Sequence, residues 1–110
     1  MKGDGRMRYI KYSAIPVEDS EANSGIYAAK YTDMGTLTLN FRQPVGGLQI
    51  LDVDGEWKWV KLWEDQIVAN CGDALSAITG GHFKSGEHRV HAPPKGQIHL
   101  DRFGVLFFSR

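Results

Sequence analysis

Short segments that alternate between apolar and polar residues recur along the 110-residue chain. Residues 36–41, Thr-Leu-Thr-Leu-Asn-Phe, alternate with a period of two, which is typical of a β-strand with one buried face. Residues 48–51 and 57–60 flank an Asp54-Gly55 pair, which predicts a hairpin turn because glycine adopts positive φ without steric cost. The same reading predicts further strands at residues 9–12, 66–70, 87–91 and 104–109.

One helix and one loop interrupt these strands. Asp73 is placed to cap a short helix over residues 73–79, and Gly80-Gly81 to end it. Residues 15–24 carry a proline and three acidic residues, which predicts a solvent-exposed loop. Many short strands between turn signals predict an all-β sandwich or barrel with one short helix. No repeat or linker divides residues 1–110, so we expect a single domain.

Composition narrows the functional classes. Thirteen Lys and Arg balance thirteen Asp and Glu, so no net charge favours nucleic acid or an anionic membrane as partner. Cys71 is the only cysteine, which excludes an intramolecular disulfide and a cysteine zinc cluster. The polar N-terminus predicts no signal peptide, and the apolar run at residues 105–108 is too short to cross a bilayer. We therefore expect a cytoplasmic protein.

The candidate chemistry lies in ordered blocks rather than in single residues. Asp33 alone, beside Gly35, could be a turn residue, and His88 alone could be a packed strand histidine. Their neighbours form a pattern along the chain. The blocks are 31–39 (Tyr-Thr-Asp-Met-Gly-Thr-Leu-Thr-Leu), 45–50 (Val-Gly-Gly-Leu-Gln-Ile), 54–57, 70–75, 79–85, 88–90 and 101–108 (Asp-Arg-Phe-Gly-Val-Leu-Phe-Phe).

The order and spacing of these blocks strongly resemble the C-terminal catalytic core of the isopenicillin N synthase-like iron(II)/2-oxoglutarate dioxygenases. The chain looks most like the branch from fungi often called clavaminate synthase-like, and the likeness extends from about residue 8 to residue 110. The resemblance implies a double-stranded β-helix, or jelly roll, with iron(II) held near its open end. It also implies 2-oxoglutarate as co-substrate, converted to succinate and CO2 while a small organic substrate is oxidised.

The resemblance also assigns residues to the metal. Asp33 and His88 correspond to two metal ligands, and Tyr31 occupies the position where the family places its first histidine. Residues two apart on an extended segment face the same way, so Tyr31 and Asp33 can both point at one metal. His91, three residues after His88, should face the opposite side. No catalytic residue is implied beyond this metal site.

Two further residues correspond to co-substrate contacts. Arg102 matches the arginine that pairs with the distal carboxylate of 2-oxoglutarate, since its planar fork suits bidentate binding. Tyr12 matches a tyrosine that helps hold the co-substrate, although a packed strand aromatic is an equal interpretation.

The sequence departs from the family pattern at two positions. Tyrosine has an ordinary pKa near 10, so forming phenolate at pH 7 costs about 4 kcal/mol, and we expect Tyr31 to weaken iron binding. His82 and His99 are the candidates for a substitute ligand. Gly104 replaces a serine whose hydroxyl contacts the co-substrate carboxylate, at a cost of about 1 kcal/mol.

Members of the family are longer than this chain. We therefore expect residues 1–110 to be a partial domain without the family's upstream and downstream segments, and we expect its exposed strand edges to favour self-association.

Three hypotheses about function follow. The leading hypothesis is an iron(II)/2-oxoglutarate dioxygenase domain. The alternative is a non-catalytic oxygenase remnant that binds a ligand or partner. A structural jelly-roll module would leave the blocks around His88 and Arg102 unexplained.

Overall fold

Two four-stranded antiparallel sheets dominate the computed structural model, which describes residues 4–61 and 63–109. The strands are β1 (Arg6–Tyr12), β2 (Ile26–Tyr31), β3 (Leu37–Phe41), β4 (Leu48–Leu51), β5 (Trp57–Trp59), β6 (Ile67–Cys71), β7 (His88–His91) and β8 (Arg102–Ser109). The helices are α1 (Val17–Ala22) and α2 (Asp73–Ile78), and neither is long and apolar enough to cross a membrane.

Strands from the beginning of the chain pair with strands from its end, β1 with β8 and β2 with β7. One sheet has the order β1-β8-β3-β6 and the other β2-β7-β4-β5, and every pairing is antiparallel. Among these eight strands only β4 and β5 are sequence neighbours that pair, as the predicted hairpin, and Gly55 supplies its positive φ of 80°. The predicted all-β jelly-roll architecture is therefore confirmed.

The space between the sheets is unusually polar. On β3, Thr38 and Asn40 are buried, whereas Leu37 is 36% exposed. The alternating pattern thus predicts the strand correctly, but the polar face is the buried one. Val90 and Ala92 are the buried hydrophobic residues in the described part of the chain. An interior lined by polar groups is expected of a binding cavity, because buried polar groups need partners.

Three local predictions need correction. The predicted loop at residues 15–24 contains helix α1, which begins after Pro16 and has no side-chain cap. Asp73 does not cap α2; Gly72 holds the cap position, and the Asp73 carboxylate accepts a hydrogen bond from Thr32 Oγ1 at 2.9 Å instead. Strand β2, which ends at Tyr31, was not among the predicted strands because its residues do not alternate.

Candidate functional site

A cavity of about 60 Å³ lies between the two sheets, and every strand except β5 contributes to its lining. Residues two apart on a strand share a face. The lining therefore takes alternate residues from six of these strands, such as Arg102 and Gly104 on β8 or His88 and Val90 on β7, and Tyr31 alone from β2. This spacing brings together five residues predicted from the sequence, Tyr12, Tyr31, Asp33, His88 and Arg102.

Asp33 and His88 form a buried pair in the cavity. Asp33 Oδ1 lies 3.5 Å from His88 Nε2, and the two residues are 6% and 9% exposed. His88 Nδ1 lies 3.0 Å from the carbonyl of Gly86. When Nδ1–H donates to this carbonyl, the Nε2 lone pair faces the Asp33 carboxylate, an arrangement that needs a proton or a cation between the two atoms.

The remaining oxygen of Asp33 is held by two neighbouring strands. Thr38 Oγ1 on β3 donates to Asp33 Oδ2 at 2.6 Å, and Asn70 Nδ2 on β6 donates at 2.9 Å. These bonds orient the carboxylate so that Oδ1 faces His88. Outer hydrogen bonds of this kind commonly fix the ligands of metal sites. Neither Thr38 nor Asn70 was predicted, although the polar positions two apart on β3 carried the signal.

Tyr31 lies at the end of β2, opposite His88 in the strand register. The two rings are 4.4 Å apart between centroids and tilted by 58°. Tyr31 is half-buried, and this partial burial raises its pKa above the ordinary 10.0; Asp33 adds to the effect. The side chain therefore presents a neutral phenol at pH 7. Within the described residues no cluster of three or more His, Cys, Asp or Glu side chains is arranged to hold a metal.

Arg102 is a buried cation at the start of β8. It is 5% exposed, its Nε has no hydrogen-bond partner, and no carboxylate of the described chain pairs with it. Burial lowers its pKa from the ordinary value, but arginine stays protonated in proteins. A buried charge without a partner is costly. Its place in the cavity therefore points to an anionic ligand.

Glycine is required beside this arginine. A Cβ at Gly47 would lie 2.9 Å from Arg102 Nε, which explains one glycine of the 45–50 block. Tyr12 borders the guanidinium on another side, with its ring centroid 5.8 Å from the arginine carbon, and Tyr27 stacks against Tyr12 at 6.3 Å. Tyr12 thus both packs against an aromatic neighbour and lines the cavity.

The other histidines lie elsewhere. His91 packs edge-on against Trp59 at 5.3 Å, on the opposite face of β7 from the cavity, as predicted. His82 packs against Phe83 at 4.9 Å. Neither His82 nor His99 lines the cavity, so neither supplies a substitute ligand in this arrangement.

A jelly roll whose cavity holds an imidazole, a carboxylate and a buried arginine is the arrangement expected of an iron(II)/2-oxoglutarate oxygenase. Comparison with known proteins gives the same class of protein. Residues 6–110 match the family model of the 2OG-Fe(II) oxygenase superfamily. The chain belongs to this superfamily.

Individual relatives include fungal oxygenases. The 2-oxoglutarate-dependent dioxygenase citB of Monascus ruber is 36% identical over 103 residues, which cover 93% of this chain and 30% of the relative. Clavatol oxidase claD of Penicillium crustosum is 40% identical over 82 residues, covering 74% and 23%. A full-length Neurospora crassa protein, crystallised in complex with alpha-KG, superposes with a TM-score of 0.89 at 34% identity, covering 96% of this chain and 35% of that one. The chain thus spans only about a third or less of these proteins.

Proposed function

We propose that this chain forms the core of an iron(II)/2-oxoglutarate-dependent dioxygenase. The reaction would insert one oxygen atom of O2 into a small organic substrate and place the other in succinate, with release of CO2. One observation carries the proposal: a single cavity presents a metal-type donor pair, Asp33 and His88, and an unpaired buried cation, Arg102. These groups complement the two ends of 2-oxoglutarate, which chelates a metal at one end and is a plain carboxylate at the other.

The donor pair fits iron(II) in its chemistry. An imidazole and a carboxylate are two members of the two-histidine, one-carboxylate set of non-haem iron oxygenases. Two ligands about 2.1 Å from one cation lie roughly 3.0–3.5 Å apart, and Asp33 Oδ1 and His88 Nε2 are separated by 3.5 Å. The fit is incomplete at Tyr31, whose phenol must lose a proton before it can serve as an anionic ligand, and whose raised pKa makes that loss harder. Iron, when bound, supplies the activation of oxygen.

The chain's own residues bind and orient. Thr38 and Asn70 fix the Asp33 carboxylate, and the carbonyl of Gly86 fixes the His88 ring. Arg102 binds the distal carboxylate of the co-substrate through its guanidinium fork. Apolar side chains line the cavity between these groups and limit the access of water, among them Ile10, Val68 and Leu106.

The test measures succinate formed from 2-oxoglutarate with added iron(II), ascorbate and air. We expect weak iron-dependent turnover in the wild type, an increase in Tyr31→His, and none in His88→Ala. The names of the relatives support this catalytic interpretation rather than the non-catalytic alternative. If folded wild type and Tyr31→His both form no succinate and bind no 2-oxoglutarate in the presence of Mn(II), the proposal fails.

Two finer assignments belong to the same proposal. We infer membership of the isopenicillin N synthase-like group, in its clavaminate synthase-like branch, and the likeness to fungal relatives supports it. We also infer self-association through the sheet edges, where β1 and β6 border one sheet and β2 and β5 the other. Light scattering during size-exclusion chromatography tests the second inference, and a monomer at all concentrations would overturn it.

A further inference from the structure

Gln43 occupies the space beside Gly104, at the arginine end of the cavity. A Cβ on the buried Gly104 would lie 2.9 Å from Gln43 Nε2, closer than real Cβ contacts. Gln43 and Arg102 also share a second small cavity next to the first. The glutamine amide therefore stands where a side chain at position 104 would otherwise project.

The hydrogen bonding of this amide is incomplete. Gln43 Nε2 donates one N–H to Asn40 Oδ1 at 3.0 Å, while Gln43 Oε1 is buried without a partner. The two ends of an amide exchange by rotation, and Asn40 can reverse its own amide to donate in return. In either orientation Gln43 keeps an N–H that Asn40 does not use. Buried polar groups without partners are uncommon, so this amide and Arg102 Nε together point to a site for a polar ligand.

We propose that Gln43 is a second anchor, beside Arg102, for the distal carboxylate of 2-oxoglutarate. Arg102 supplies the charge. The Gln43 amide fills the space that Gly104 leaves open, and its spare N–H donates to a carboxylate oxygen beside it. A neutral amide suits this role, because an acidic side chain would neutralise Arg102 and repel the ligand. The proposal rests on the proposed function and gives Gln43 a part in selecting dicarboxylic 2-oxo acids.

Calorimetric titration of the Mn(II)-loaded chain with two ligands tests this role. 2-Oxoglutarate carries the distal carboxylate, whereas 2-oxopentanoate has a methyl group in its place. We expect Gln43→Ala to weaken 2-oxoglutarate binding about tenfold and 2-oxopentanoate binding hardly at all. Gln43→Glu keeps the size but reverses the interaction, so we expect an even larger loss for 2-oxoglutarate. Gln66→Ala, at an exposed turn, is the matched control.

A second variant tests the shared space. Gly104→Ser in the Gln43→Ala background places a hydroxyl where the amide was, and we expect it to recover most of the lost affinity. In the wild-type background the serine and the glutamine compete for one space, so Gly104→Ser should bring no gain.

The outcomes separate the two proposals. If wild type does not prefer 2-oxoglutarate to 2-oxopentanoate, the proposed function fails together with this inference. If wild type shows the preference and Arg102→Gln loses it, but folded Gln43→Ala keeps it, only the role of Gln43 is overturned. An equal loss for both ligands in Gln43→Ala also overturns it, because that result indicates a general distortion of the cavity.

Discussion

Replacement of Tyr31 by histidine tests which group limits metal binding. The ordinary pKa of the phenol, 10.0, lies three units above pH 7. Removing its proton at pH 7 therefore costs about 4 kcal/mol, which lowers metal affinity roughly a thousandfold. The raised pKa makes this cost larger. Histidine supplies a neutral donor without it, and Tyr31 is 43% exposed, so the substitution should not disturb the core. We therefore expect Tyr31→His to bind Mn(II) at least about a hundredfold more tightly than wild type.

The pH dependence gives an independent readout. If phenolate is the ligand, metal binding releases a proton, so the wild-type affinity for Mn(II) should rise about tenfold per pH unit between about pH 7 and 9. Tyr31→His should show a much flatter profile in that range. Tyr31→Phe, the matched control, keeps the ring against His88 but should lose both the pH dependence and the third donor.

The assay is calorimetric titration with Mn(II) at several pH values, with circular dichroism to verify the fold of each variant. If Tyr31→His binds Mn(II) within about threefold of wild type, deprotonation of the phenol does not limit metal binding at this site. A Tyr31→Phe variant that retains the wild-type pH dependence would likewise exclude phenolate as the ligand, because a phenyl ring has no proton to release.

Three other substitutions probe the rest of the cavity. Arg102→Gln removes a buried unpaired charge, so the free energy of unfolding measured in urea should rise by about 1 kcal/mol or more. The affinity for 2-oxoglutarate should fall at least about a hundredfold. A variant less stable than wild type would contradict this expectation. Thr38→Val keeps the shape but removes one hydrogen bond to Asp33, so Mn(II) affinity should fall about tenfold, and an unchanged affinity would show that the bond does not position the ligand. Gly47→Ala places a Cβ 2.9 Å from Arg102 Nε, so the affinity for 2-oxoglutarate, measured by calorimetry, should fall about tenfold while the affinity for Mn(II) is preserved. Equal losses of affinity for 2-oxoglutarate and Mn(II) would refute a local effect on Arg102.

The sequence predicts the strands well where alternation is strict and poorly where it is not. Residues 36–41 alternate, and β3 is found there. β2 does not alternate, because two register shifts against β7 break its period. Helix α1 has six residues, no side-chain cap and only Ser20 buried, so it carries neither a capping signal nor an apolar face that would mark it as a helix. Local patterns cannot reveal an element that is held by its position in the fold.

The proposed metal ligands are easier to predict from sequence than the residues that hold them. Asp33 and His88 lie in recognisable blocks and meet in the cavity as expected. Asn70 is 37 positions from Asp33 in sequence, and their contact exists only because β3 pairs with β6. Gln43 belongs to no block, and its proximity to Gly104 depends on how the chain turns after β3. Supporting contacts between distant strands require the topology, which the alternating pattern alone does not contain.

The two departures from the family pattern differ in whether the fold compensates for them. At Gly104 the space is taken by the Gln43 amide, so the arginine end of the cavity keeps both a charge and a neutral hydrogen-bonding group. At Tyr31 the described residues offer no such replacement, since His82, His91 and His99 all lie outside the cavity lining. Co-substrate recognition through the distal carboxylate should therefore survive better than metal affinity. On the proposed function, the level of oxygenase activity should then depend on the single side chain at position 31.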